Sequence, residues 1–179
     1  MKKNKGFSLI EVLLVVALVG ILAALAAASL SNLVKKNRVE NQIRRIYSDL
    51  MNARVMAMNR NITHFVVFAG SNYTVWEDTD GSETPDAAPT DTQRLKRSSV
   101  DTTPMTYSNT TGAPSDSAIS QSAGGWVAFN SRGIARTAIA PNGTIWITVA
   151  GVNPTRDCIS ITPTQLRLGK LNGGACNEI

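Results

Sequence analysis

The chain has 179 residues, 43% of them apolar and 17% charged; once a long N-terminal helix is set aside, the remainder suffices for one modest globular domain and leaves no room for a second. Its formal charge of +5 is unevenly placed. Lys2, Lys3 and Lys5 carry three of the positive charges, and from Asn61 onward eight basic residues stand against ten acidic ones, so bulk charge gives no argument for a nucleic-acid-binding head.

The first element follows the three lysines: Gly6-Phe7-Ser8-Leu9-Ile10-Glu11, then a run to Leu30 in which Val12 to Ala28 holds no charged residue. At ~1.5 Å per residue that run is nearly long enough for a ~30 Å hydrocarbon core, and a membrane-spanning helix over residues 7–30 is predicted. Glu11 is the odd residue, because an ionised group at mid-bilayer costs about 2.5 to 3.5 kcal/mol and is usually functional. Ala23 to Ala28 imitates the small-residue cleavage site of a secretory leader, which would discard the apolar core. Lysines before the span keep the leader in the cytoplasm and send the rest outward, so the head is expected in the periplasm.

The stretch Gly6-Phe7-Ser8-Leu9-Ile10-Glu11 after a short basic leader resembles the processing site of type IV prepilins and type II secretion pseudopilins. In that family the cut falls between the glycine and the phenylalanine, ahead of the apolar helix, which is retained. The resemblance implies a leader over 1–6, cleavage between Gly6 and Phe7, N-methylation of Phe7, and an assembly role for Glu11. Gly20 matches a glycine common in the family's helix. Ala28 stands where major pilins often carry proline, which fits a minor subunit.

From Phe7 to Arg60 there is no proline, and after Gly20 no glycine, so one helix is predicted over 7–60. Beyond Ser31 a stripe of Val39, Ile43, Ile46, Leu50, Ala53 and Ala57 repeats at four and three residues. It is expected to pack on the head, with a coiled-coil partner as the alternative.

The period then changes, and a β-rich head is predicted over 61–179. Ile62 to Ala69 and Tyr73 to Glu77 read as a hairpin around Gly70-Ser71-Asn72. Asp78 to Thr92 reads as a polar loop, Arg94 to Val100 and Met105 to Ser108 as short strands, and Asn109 to Gly125 as an exposed, mobile stretch. Trp126 to Asn130, Ile134 to Ile139, Thr144 to Ala150, Cys158 to Thr162 and Leu166 to Leu168 follow as strands. The fold class is therefore α+β, a long helix that is membrane-spanning and then amphipathic, packed on a mainly antiparallel sheet. That layout resembles the minor pilin and pseudopilin branch that includes the FimT, FimU and GspH proteins, and Phe129 to Gly133 and Cys158 to Thr164 are similar to turns of that branch.

No catalytic set emerges. The one histidine, His64, has no motif around it and reads as a sheet-edge residue, phosphate loops are absent, and neither enzymatic activity nor a cofactor is expected. Cys158 and Cys176, in an oxidising compartment, read as a disulfide, with two buried thiols as the alternative. Asp78, Asp80 and Glu83, beside Glu77 and around Gly81, could offer oxygens to Ca²⁺, as happens in some relatives, but lack EF-hand spacing and read better as a solvated hairpin tip. Arg156, Arg167 and Lys170 are the candidate DNA contacts. The DNA-binding turn of some FimT-like relatives contains G-R-x-R, whereas Pro163 to Leu168 here lacks the glycine and the first arginine, and a few exposed cations are commonly only solvating charge.

The family resemblance therefore implies a minor pilin that is processed by prepilin peptidase and incorporated into, or priming, a type IV pilus. Its implied partners are other pilins or pseudopilins, the peptidase and an inner-membrane assembly platform. It would sit in the bacterial inner membrane as a single-pass protein before assembly, and in the pilus or pseudopilus after it. A type II secretion minor pseudopilin and a DNA-uptake minor pilin are the alternatives.

Overall fold

A computed structural model describes residues 8–69, 72–85, 91–98, 106–110, 125–137, 142–149 and 151–178. With nothing in the sequence to break it, one helix, α1 (Leu9–Arg60), runs for 52 residues, about 78 Å at ~1.5 Å per residue. The Glu11 amide donates to the Ser8 carbonyl at 3.0 Å, and the Glu11 carboxylate lies in the first turn, where the helix dipole favours negative charge. The helix stops at Asn61, whose φ of 55° is left-handed and whose amide donates back to Ala57; asparagine accepts that conformation more readily than most residues.

The expected membrane-spanning segment over 7–30 is not found. Among the described residues no helix is long and apolar enough to cross a membrane. The apolar end of α1 also carries an ionisable group, Glu11, in its first turn, which a hydrocarbon core disfavours. The single-pass placement in the inner membrane, with the head in the periplasm, falls with it. What the structure does show is that this end of α1 is exposed, from Leu9 at 79% to Leu22 at 65%.

The head holds β1 (His64–Ala69), β2 (Asn72–Glu77), β3 (Thr92–Ser98), β4 (Thr106–Thr110), β5 (Trp126–Phe129), β6 (Ala135–Thr137), β7 (Gly143–Thr148), β8 (Cys158–Ile161), β9 (Leu166–Asn172) and β10 (Ala175–Glu178). They form two five-stranded sheets, in the orders β3-β2-β1-β5-β6 and β10-β9-β8-β7-β4, and every described pairing is antiparallel. The Ala135 amide donates to Pro163 at 2.8 Å and ties the sheets together. Most of the stretch expected to be mobile, together with the turn at Gly70-Ser71, lies outside the described residues. Asn109 and Thr110, expected to begin that stretch, belong to β4 instead.

The core sits between α1 and both sheets. Val39, Ile43, Ile46, Leu50, Ala53 and Ala57 are all buried, so the heptad-like stripe is the face that packs. They meet Val66 and Phe68 of β1, Tyr73 and Val75 of β2, Val127 and Phe129 of β5, and Ile145, Ile147, Ile159 and Ile161 of the second sheet. β2 alternates half-buried and buried residues, the period-two pattern of a strand with one covered face. Its buried set ends in Glu77, a charged residue on the core side.

Candidate functional site

Three places collect polar chemistry: the free end of α1, the junction where α1 ends against the first sheet, and the C-terminal hairpin. At the free end, Gly6 and Phe7 lie outside the described residues. Glu11 is exposed and borders a shallow groove with Val12, Val15 and Val16, and no described residue pairs with its carboxylate. The surface offered there is an apolar rod carrying one isolated acid.

At the junction, Glu77 is 1% exposed and accepts from two arginines on different elements, Arg60 at the end of α1 (2.9 Å) and Arg94 on β3. A buried carboxylate is tolerated only when so paired. One strand position across, His64 faces Glu77 on one side and Phe129 on the other. It is therefore on the middle strand of the sheet and fully buried, not at an edge as its place before the apolar run suggested. Burial holds its imidazole below the ordinary value of 6.5, against the opposing pull of the Ile62 carbonyl and Glu77. Nearer the middle of α1, Tyr73 donates to Asp49 at 2.6 Å. Two further bonds tie the helix to the second half of the head: Thr155 amide to Glu40 at 2.8 Å, and Arg54 to the Thr164 carbonyl at 3.0 Å.

The acidic loop beside this junction is folded around its own carboxylates. Asp78 accepts the Gly81 amide at 2.8 Å and the Glu83 amide at 3.2 Å, and Asp80 accepts the Ser82 amide at 2.9 Å. Of the Ca²⁺ candidates, Asp78 and Asp80 come together, and the third carboxylate within 4.8 Å is Asp91; Glu83 instead turns to Arg136 at 3.3 Å. Burial raises the Asp78 carboxyl above its ordinary range, opposed by those amides.

At the C-terminus, Asn172-Gly173-Gly174 closes a β9–β10 hairpin that the strand pattern did not predict. Its signal was present, since both glycines take positive φ, 58° and 86°, as tight hairpin turns require. Cys158 on β8 and Cys176 on β10 are joined by a disulfide, although β9 lies between their strands. The crossing is possible because β10 folds over Gly169: a Cβ there would lie 2.2 Å from the Asn177 carbonyl oxygen and 2.8 Å from Cys176 Sγ. The candidate DNA contacts are not gathered on one face. Arg167 and Lys170 are three apart on β9, hence on opposite faces, and they pair with Glu178 and with Asp157 (2.6 Å) respectively, while Arg156 lies in the loop before β8.

A family model described as type II transport protein GspH matches residues 42–165, more than half of the chain. A second, described as a prokaryotic N-terminal methylation motif, matches residues 1–27. Two solved structures of the minor pseudopilin EpsH from the type II secretion system of Vibrio cholerae are similar to this chain. One is 14% identical, covering 74% of this chain and 97% of its own, with a TM-score of 0.48; the other is 15% identical, covering 76% and 99%, with the same TM-score. No curated protein matches. Likeness as distant as that to the two structures says nothing about function.

Proposed function

The chain belongs to the type II transport protein GspH family, and on that premise we propose that it is a minor pseudopilin of a type II secretion system. Membership of the family makes it a structural subunit of the pilin and pseudopilin class, concerned with filament biogenesis, and not an enzyme. The observation that carries the finer reading is where the family match falls. It covers the packed half of α1 and most of the head, whereas the methylation motif at residues 1–27 fits a pilin and a pseudopilin equally.

In this reading the leader ends at Gly6, Phe7 becomes the mature N-terminus and carries the methyl group, and the exposed apolar length of α1 is covered by the helices of neighbouring subunits. Glu11 is then the one acid in an apolar contact, and it pairs with the terminal amine at Phe7. The partners are other pseudopilins, the prepilin peptidase and the assembly platform. The physical support is the exposure of Leu9 to Leu22, a surface whose burial favours association by roughly 25 cal/mol per Å² before the costs of ordering.

The test is a deletion scored for two phenotypes in one strain. Loss of secreted enzymes from the medium, restored by the intact gene, with twitching unaffected, is the expected result. Loss of twitching with secretion intact would return the chain to the type IV pilus.

A further inference from the structure

His64 is the one histidine in the chain, and neither the apolar rod nor the assembly reading uses it. Its Nδ1 lies 3.0 Å from the Ile62 carbonyl, to which it donates. Nε2 has no hydrogen-bond partner and no exposure. A neutral imidazole leaves there only an unused lone pair; a proton on Nε2 would be a buried cationic donor with nothing to receive it. The charged groups facing the ring are Glu77 from β2, Arg60 from α1 and Arg94 from β3, while β5 presents Phe129. Glu77 is thus the one acceptor within that set, and its carboxylate is already shared by the two arginines.

We propose that the end of α1 is held to the first sheet by an acid-sensitive clasp, in which a proton on His64 Nε2 draws Glu77 away from Arg60 and frees the last helical turn. Three cations then compete for one buried carboxylate. Arg60 is the one to leave. Its side chain is 47% exposed, against 34% for Arg94, so water replaces its bond at the least cost. Arg94 is also held beside Glu77 by the pairing of β3 with β2, whereas Arg60 stands on the last residue of a helix that ends in a single left-handed asparagine. What is released is the corner through which the rod enters the head, so the device sets how rigidly the two move together.

The test is amide hydrogen exchange on the full chain in detergent micelles, at several pH values from 7.5 to 5, corrected for intrinsic rates. Protection of the last-turn amides, Ala57 to Asn61, is read as a ratio to that of Ile43 to Leu50. In the unmodified chain that ratio is expected to fall about tenfold across the range, equivalent to ~1.4 kcal/mol of lost protection. His64→Asn keeps a donor where Nδ1 stands and removes the titrating nitrogen, so its ratio should stay high and flat. Glu77→Gln should give a ratio already low at pH 7.5 and independent of pH. A flat ratio in the unmodified chain, or a fall that persists in His64→Asn, overturns the proposal. Should His64→Asn not fold, the imidazole resonances of the single histidine decide the matter: a titration midpoint below 6.5 that coincides with the loss of protection supports the clasp, and a midpoint at or above 6.5, or one that does not coincide, rejects it.

Discussion

The hydroxyl of Tyr73 donates to the Asp49 carboxylate at 2.6 Å in a buried bond that joins the packed half of α1 to β2. Tyr73 also lies 5.5 Å, ring to ring, from Phe68, so the same side chain fills the core and satisfies an acid within it. Tyr73→Phe keeps the ring and removes the donor. Because a bond to a carboxylate contributes more than a neutral one, the expected loss is about 1.5 to 3 kcal/mol, read as a lower urea midpoint with an unchanged slope. A loss below about 0.5 kcal/mol would show that other groups around Asp49 carry it without Tyr73.

Gly169 gives the second prediction. The space its side chain would occupy belongs to the backbone of Asn177 and to Cys176 Sγ, so Gly169→Ala must push β10 outward. We expect destabilisation of about 1 to 3 kcal/mol, as for other overpacked sites. Non-reducing mass analysis should also show a smaller oxidised fraction of Cys158 and Cys176 than in the unmodified chain. A stable variant with its disulfide fully formed would mean that β10 has room to shift.

The pH dependence of unfolding should have a component below that of His64. The Thr155 amide holds the Glu40 carboxyl below its ordinary value of 4.5, with Lys36 and Arg44 assisting. A depressed carboxylate contributes stability that is present above the unfolded value and is lost as pH falls through the folded one. Glu40→Gln should therefore weaken the head at pH 7 and flatten the loss of stability below about pH 4.5. Denaturant titrations at pH 7, 5 and 3.5 check this, and an equal deficit at all three would remove the charge from the account.

The periodic parts of the fold were legible in the sequence. The buried face of α1 repeats at helical spacing, and of the ten strands among the described residues nine overlap stretches read as strands in the sequence, with ends displaced by a few residues. The polar interior was not legible, because hydrophobic period says which face is buried and nothing about the partner that makes a buried acid tolerable. Asp49, Glu77 and Asp157 are buried against Tyr73, Arg60, Arg94 and Lys170, which reach them from 13 or more residues away in the sequence. The acidic loop shows the same limit. Sequence adjacency pointed to Glu83 as the third carboxylate, whereas the β2–β3 pairing of Glu77 with Thr92 carries Asp91 beside Asp78. His64 was misplaced because a residue at the start of a strand says nothing of whether that strand is central.

The N-terminus yields a prediction by mass alone. Under the proposed function, the protein recovered from cells has lost Met1 to Gly6 and begins at Phe7 with one added methyl group. Intact-mass measurement distinguishes this from an N-terminus near Ser29, which would mean that the apolar helix is discarded and would end the filament reading.

Glu11 carries the last prediction. Its carboxylate stands in a groove of valines on the exposed rod, and among the described residues none neutralises it. When neighbouring helices cover that rod, an unpaired carboxylate would cost several kcal/mol, so assembly must supply a cation. The amine that cleavage after Gly6 would leave at Phe7, four residues before Glu11 in the sequence, is the chemical match, reached either within the subunit or from its neighbour. A pair between subunits fixes how far one rod slides along the next; a pair within one subunit does not. Glu11→Leu removes the need for a partner and makes the rod more apolar, so burial alone would predict better association. If the pair sets the axial register, the leucine variant is instead cleaved after Gly6 at the normal rate but recovered at less than about a tenth of the usual level in sheared filaments, a deficit of ~1.4 kcal/mol or more. Leu13→Ile serves as the control for a change in the same apolar surface. The comparison is processed protein in whole cells against protein in the sheared fraction, and incorporation of Glu11→Leu equal to that of the control would take the carboxylate out of the mechanism.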